Sequence, residues 1–150
     1  MEQKSYLSLN DQLCFPIYAT SRMVTRMYQP LLKKVDLTYP QYLVMLVLWE
    51  EEKLSVSQLG KKLYLNTNTL TPLLKKMKEK NLVLKERSST DERSVFIQLT
   101  DKGKLLQKQA ESIPLALFSS LNMSQDEFQQ MRKLMWKFLD GFENLVENEK

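Results

Sequence analysis

The sequence offers one thiol and one concentration of cations. Cys14 is the single cysteine among 150 residues, and histidine is absent. A thiolate is a nucleophile, so Cys14 is either an oxidisable reactive group or a small hydrophobe packed with Leu13 and Phe15. Without histidine, the Ser-His and Cys-His nucleophile pairs and most metal sites are excluded, and one cysteine cannot close a disulfide within the chain. Neither enzymatic chemistry nor a metal or cofactor is expected.

The cations are unevenly spread. Residues 1–60 carry six bases and six acids, 61–87 eight and two, 88–123 four and four, and 124–150 four and six. All of the excess behind the net charge of +4 therefore falls in one short block. A basic patch on an otherwise near-neutral chain is the footprint of a polyanion, because each neutralised phosphate releases condensed counterions. Within the block, Thr67, Asn68, Thr69 and Thr71 offer short hydrogen-bonding groups suited to base edges and phosphates, while Leu70, Leu73, Leu74 and Met77 recur at helical spacing and should face a core. Lys75, Lys76, Lys78 and Lys80 are then expected to meet phosphates. Downstream, Asp91-Glu92-Arg93 sets one arginine between acids and a strand. A guanidinium suits a narrow minor groove, with Asp91 orienting it or capping the turn; an exposed ion pair is the plainer alternative.

Elements to position these groups can be read from caps. Thr38 with Gln41, Ser55 with Gln58 and Ser124 with Glu127 are capping boxes, each opening a helix. A first helix is expected from Ser8 to about Lys34, although Pro16 within it must bend the backbone unless the first turn lies just before it. A short helix from Ser55 to about Leu63 is followed by one starting between Asn66 and Thr71: Asn66 is a good cap, Pro72 prefers a first-turn position with Thr71 as cap, and a start at Asn66 with a strained first turn is expected, the helix ending near Lys80, where Asn81 supplies a left-handed cap. Val83–Arg87 and Val95–Leu99 are β-prone runs flanking a polar tip. Thr100 should cap a long helix to about Leu121, and Ser124 a final helix with Phe128, Met131, Met135, Phe138, Phe142 and Leu145 on one stripe.

The order short helix, turn, basic helix, hairpin predicts a mainly α fold with a small β hairpin, a winged helix-turn-helix over residues 38–99 with its wing at 83–99. At this length, 43% apolar and 27% charged, one domain over 1–150 is expected. Its terminal helices, 8–34 and 101–146, carry more apolar surface than a small winged domain can cover, which predicts a homodimer on an inverted-repeat DNA operator, with a monomer whose core these helices complete as the plainer alternative. No stretch is apolar enough to cross a bilayer and no secretion signal opens the chain, so a cytoplasmic location is expected.

Four segments together resemble the MarR family, in its OhrR-like branch that senses organic hydroperoxides. They are Asp11-Gln12-Leu13-Cys14-Phe15 with Tyr18-Ala19, then Leu37-Thr38-Tyr39-Pro40-Gln41-Tyr42, then Leu65 to Leu73, and Asp91-Glu92-Arg93-Ser94, spanning about Asn10 to Leu145. The resemblance implies that Cys14 is the peroxide-reactive thiol and that Tyr28 and Tyr39 of a second subunit hydrogen-bond it. A sulfenic acid formed there could react onward with a small thiol or oxidise further. With no second cysteine, sensing would be of the one-cysteine kind, releasing a repressor from its operator. Pro16 and Asn68 depart from the family pattern, which expects a helix former and a small residue there. Two other readings remain open at this level: a MarR-like regulator answering to a small-molecule ligand or governing a broader adhesion or virulence programme, and a thiol peroxidase using Cys14.

Overall fold

A 3-10 turn, Leu9–Asp11, leads into α1, Cys14–Lys33. The start is later than the predicted Ser8, and Pro16 explains it. As the third helical residue it occupies a position whose N–H has no intrahelical acceptor, so proline costs no hydrogen bond there, whereas Pro30 is carried deeper in the same helix at the loss of one. The chain is described here from a computed structural model, for residues 7–89 and 94–148. It divides into two compact units, Met1–Leu117 and Phe118–Lys150, each taken by itself below.

In the first unit, α2 (Tyr39–Glu50) and α3 (Val56–Leu63) open on the boxes written in the sequence. Thr38 N donates to Gln41 Oε1 at 3.1 Å and Gln41 N to Thr38 Oγ1 at 3.4 Å. Ser55 N and Gln58 Oε1 lie 2.9 Å apart, with the return bond at 3.1 Å. The next helix, α4, runs Thr67–Glu79 from Asn66, whose Oδ1 accepts from Thr69 N at 2.9 Å; Pro72 is carried inside it.

The exits of α1, α3 and α4 share one device. Asp36, Tyr64 and Asn81 are left-handed, with φ of 52°, 55° and 57°. The residue after each sends its N–H back five positions, Leu37 to Leu32, Leu65 to Gly60 and Leu82 to Met77, all at 3.0 Å. These are Schellman ends built without glycine, and Leu37 and Leu82 bury their side chains as the motif's apolar contact.

Strands β1 (Lys53–Ser55), β2 (Val83–Arg87) and β3 (Val95–Leu99) form an antiparallel sheet in the order β1-β3-β2, with Leu54 opposite Ile97 and Lys85 opposite the same residue from the other side. Strand β1 has no signature in the sequence. Three residues carry no periodicity, and they become a strand only because the free edge of β3 supplies hydrogen bonds. The core packs around α2, whose Tyr42, Val44, Met45 and Leu48 are buried with Leu59, Leu70, Met77 and Ile97.

The single helix expected from Thr100 to Leu121 is instead two, α5 (Asp101–Ala110) and α6 (Ser112–Ser119). Pro114 has no N–H to give to the carbonyl of Ala110, so the hydrogen-bond ladder is interrupted at Glu111, which itself keeps helical dihedrals, φ −55° and ψ −34°. In the second unit, α7 (Gln125–Asn148) starts on Ser124, whose N–H donates to Glu127 Oε2 at 2.8 Å and whose Oγ accepts from Glu127 N at 3.2 Å. Hydrogen bonds to its carboxylate from the Ser124 backbone N–H and then from the Ser124 side chain hold the Glu127 pKa below its ordinary value. Phe118 and Phe128 meet edge to face at 4.4 Å, while Leu134, Phe138, Phe142 and Leu145 stand exposed along α7. No helix among the described residues is long and apolar enough to cross a membrane.

Candidate nucleic-acid interface and thiol

The turn from α3 to α4 closes on Gly60. A Cβ there would sit 2.7 Å from the carbonyl oxygen of Leu65, so the close approach needs glycine. The tight turn presents α4 with Leu70, Leu74 and Met77 inward, Leu73 half-buried, and Thr67, Asn68, Thr69, Thr71, Lys75 and Lys76 all exposed. Two of these hydroxyls already donate within the helix, Thr69 to Asn66 Oδ1 at 3.0 Å and Thr71 to the Thr67 carbonyl at 2.8 Å. They keep lone pairs for incoming donors, such as a base amino group.

Beside α4 lies a cleft of about 490 Å³, bounded by the start of α3, α4 and the two wing strands. Thr67, Thr71, Lys75, Lys78 and Lys85 reach it, together with Ser55 and Ser57 at the positive end of α3. Three ammonium groups and a helix N-terminus make a field that favours phosphate. Lys85 was not singled out in the sequence, though it belongs to the same basic block; its place across the cleft comes from strand pairing. Lys80 differs from the expectation that it meets phosphate. Its ammonium is turned to the α1–α2 turn, 3.1 Å from the Asp36 carboxylate.

At the wing, Ser88 N donates to the Ser94 carbonyl at 2.8 Å and draws the two strands together. Asp91 and Arg93, which the sequence analysis assigned to the tip, lie outside the described residues. Lys85 and Arg87 are exposed along β2.

Cys14 is the first residue of α1 and is exposed. Leu13, Phe15 and Tyr18 around it are exposed too, so one chain supplies apolar neighbours without a closed pocket. Tyr28 and Tyr39 do come together, with ring centroids 5.1 Å apart, and Tyr42 joins at 5.5 Å from Tyr28. Partial burial raises the pKa of both Tyr28 and Tyr39, with the neighbouring phenol adding to the effect on Tyr28. Tyr42 is pushed up to about 12, chiefly by burial. The phenols therefore stay protonated and able to donate at neutral pH. Tyr42 closes the Leu37–Tyr42 segment of the sequence without an assigned site role; its position three residues after Tyr39 on one helix face is the signal for the third ring.

The thiol and the tyrosine pair are far apart in one chain. Cys14 and Tyr28 share α1, and a rise of 1.5 Å per residue over the intervening positions separates them by roughly 21 Å.

Comparison with known proteins gives consistent matches. The family described as transcriptional regulator SarA/Rot matches residues 26–110. The organic hydroperoxide resistance transcriptional regulator of Bacillus subtilis is 44% identical over 93% of this chain and 96% of its own length. The HTH-type transcriptional regulator MgrA of Staphylococcus aureus is 38% identical over the same shares. Among solved structures, reduced AbfR bound to DNA superposes with a TM-score of 0.80 at 35% identity, covering 97% of this chain and 99% of that one.

Proposed function

Since the chain belongs to the SarA/Rot family of transcriptional regulators, in the MarR group, we propose that it is a redox-controlled repressor. It binds an inverted-repeat operator as a homodimer in the cytoplasm, and organic hydroperoxide releases it by oxidising Cys14. It is a regulator and not an enzyme.

The DNA-binding half of the reading is carried by the exposed polar face of α4 beside the lysine-lined cleft. Thr67, Asn68, Thr69 and Thr71 enter the major groove, and Lys75 and Lys76 neutralise flanking phosphates. Arg93 reaches the minor groove from the wing, with Asp91 orienting it. Residues 8–34 and 101–146 provide the dimer contacts, which sets two copies of the winged region 38–99 at a spacing fixed by the operator.

The sensing half is carried by the exposed thiol at the start of α1. The thiolate attacks the distal oxygen of the hydroperoxide; an S–O bond forms, the O–O bond breaks, and the leaving alkoxide takes a proton from solvent. Sulfur loses two electrons and the peroxide gains them, giving a sulfenic acid and an alcohol. A small thiol then condenses with the sulfenic acid to a mixed disulfide and water. Tyr28 and Tyr39 of the second subunit donate to the thiolate, and the added group at sulfur displaces them. Apolar Leu13 and Phe15 favour organic peroxides over hydrogen peroxide.

Operator binding measured before and after cumene hydroperoxide tests this reading. Native protein should lose binding and Cys14→Ser should keep it; equal sensitivity of the two would remove the sensing role and leave the DNA-binding role standing.

A further inference from the structure

Lys80 follows the last turn of α4, where a lysine on a DNA-reading helix would ordinarily point at phosphate. Its ammonium instead donates to the Asp36 carbonyl at 2.5 Å, pairs with the Asp36 carboxylate at 3.1 Å and donates to Gln41 Oε1 at 3.4 Å. An ammonium has three N–H donors, and three acceptors surround this one. Asp36 is the left-handed residue that ends α1. Gln41 is 2% exposed, and its Oε1 also accepts from Thr38 N in the box that starts α2. One cation thus fastens the exit of α1, the first turn of α2 and the end of α4.

The same end of α4 is held from the other side. Lys102 donates to the Lys80 carbonyl at 2.7 Å, and Thr100 Oγ1 to the Asn81 carbonyl at 2.7 Å. Tyr39 is the first residue of α2, between the two partners of the capping box. A displacement of Tyr39 that moves this first turn must either carry the Lys80 ammonium with it or strip acceptors from a partly desolvated charge.

We propose that Lys80 is a positioning residue that transmits displacement of Tyr39 to the recognition helix α4. This rests on the reading of Cys14 oxidation given above. The helix packing of α2 on α4 holds both in place, whereas the Lys80 bonds tie the end of α4 to the one turn of α2 that the sensor disturbs.

Lys80→Met keeps the aliphatic stem and removes the donors; Lys80→Arg keeps charge and donors. Operator affinity is measured for reduced protein and after cumene hydroperoxide, with Cys14 modification checked by intact mass. Oxidation should weaken native protein, and in Lys80→Met the ratio of reduced to oxidised affinity should shrink by about tenfold at equal Cys14 modification, within the usual range of coupling between sites. Lys80→Arg should recover most of that ratio, which a merely stabilising residue would not do selectively. A Lys80→Met ratio equal to the native one overturns the proposal, whereas native protein indifferent to oxidation overturns the underlying reading first. Hydrogen exchange in native protein decides the matter if Lys80→Met does not fold. Oxidation should accelerate the Leu37 and Leu82 amides together, and acceleration of Leu37 alone overturns the link.

Discussion

The rings of Tyr28 and Tyr39 meet 5.1 Å apart and tilted by 41°, joining the last turns of α1 to the first residue of α2. The pair is prepared in each chain, but the Cys14 on the same α1 is roughly 21 Å away along the helix. A sulfur that uses both phenols must therefore come from another copy.

That arrangement predicts complementation in trans. Tyr39→Phe should slow Cys14 oxidation by cumene hydroperoxide about tenfold or more, the worth of one hydrogen bond to a charged group. A heterodimer of Cys14→Ser with Tyr39→Phe should nevertheless keep one fast thiol, because its intact cysteine faces the intact tyrosine. Stopped-flow kinetics showing only slow thiols in that heterodimer would place the tyrosine in cis.

Alkaline stability should follow the tyrosines. Their folded pKa values are raised, so the folded state retains protons that the unfolded state releases. The sign is a loss of stability as pH climbs from the ordinary tyrosine value of 10.0 towards the Tyr42 value of about 12, with none of this effect below pH 9 or so. Thermal melts across this range, compared with Tyr42→Phe, check it; the variant should lose less between those pH values than the native chain does.

DNA affinity should separate phosphate from groove contacts. Lys75→Ala is expected to weaken binding across all sequences and to reduce the slope of log affinity against log salt by about 1. Arg93→Ala should weaken the operator without changing the dimer, and unchanged affinity at physiological salt would argue against a wing in the minor groove. Fluorescence anisotropy at several salt concentrations reads both.

Two glycines should respond oppositely to alanine. At Gly103 a Cβ would lie 2.3 Å from the Leu82 carbonyl oxygen, which is fixed backbone, so Gly103→Ala should cost about 1–3 kcal/mol or more. At Gly141 the added methyl meets nothing within 4 Å in one chain, and Gly141→Ala inside α7 should gain roughly 0.5–1 kcal/mol. Chemical denaturation measures both, and a loss at Gly141 would reveal a second chain packed against that face.

Local chemistry was legible in the sequence wherever a residue and its partner lie within one turn. The boxes at Thr38, Ser55 and Ser124 and the left-handed Asn81 are legible from spacing alone, because side chain and backbone there satisfy each other without outside help, whereas Asn66 and Thr71 compete as caps and the structure puts the start at Asn66 with Pro72 inside the helix. The basic helix and its wing followed from charge and order. What tertiary structure decided is what depends on a distant partner. Lys53–Ser55 is a strand only because β3 offers an edge, and the helical ladder after Thr100 is interrupted at Glu111 where Pro114 withholds one donor. Lys80 turns away from the cleft-lining lysines of α4 because Asp36 and Gln41, far away in sequence, surround its ammonium with acceptors. Cys14 and the tyrosines show the same division: the residue types are written in the sequence, but α1 separates Cys14 from Tyr28 by roughly 21 Å within one chain, so the pairing we propose depends on packing between chains.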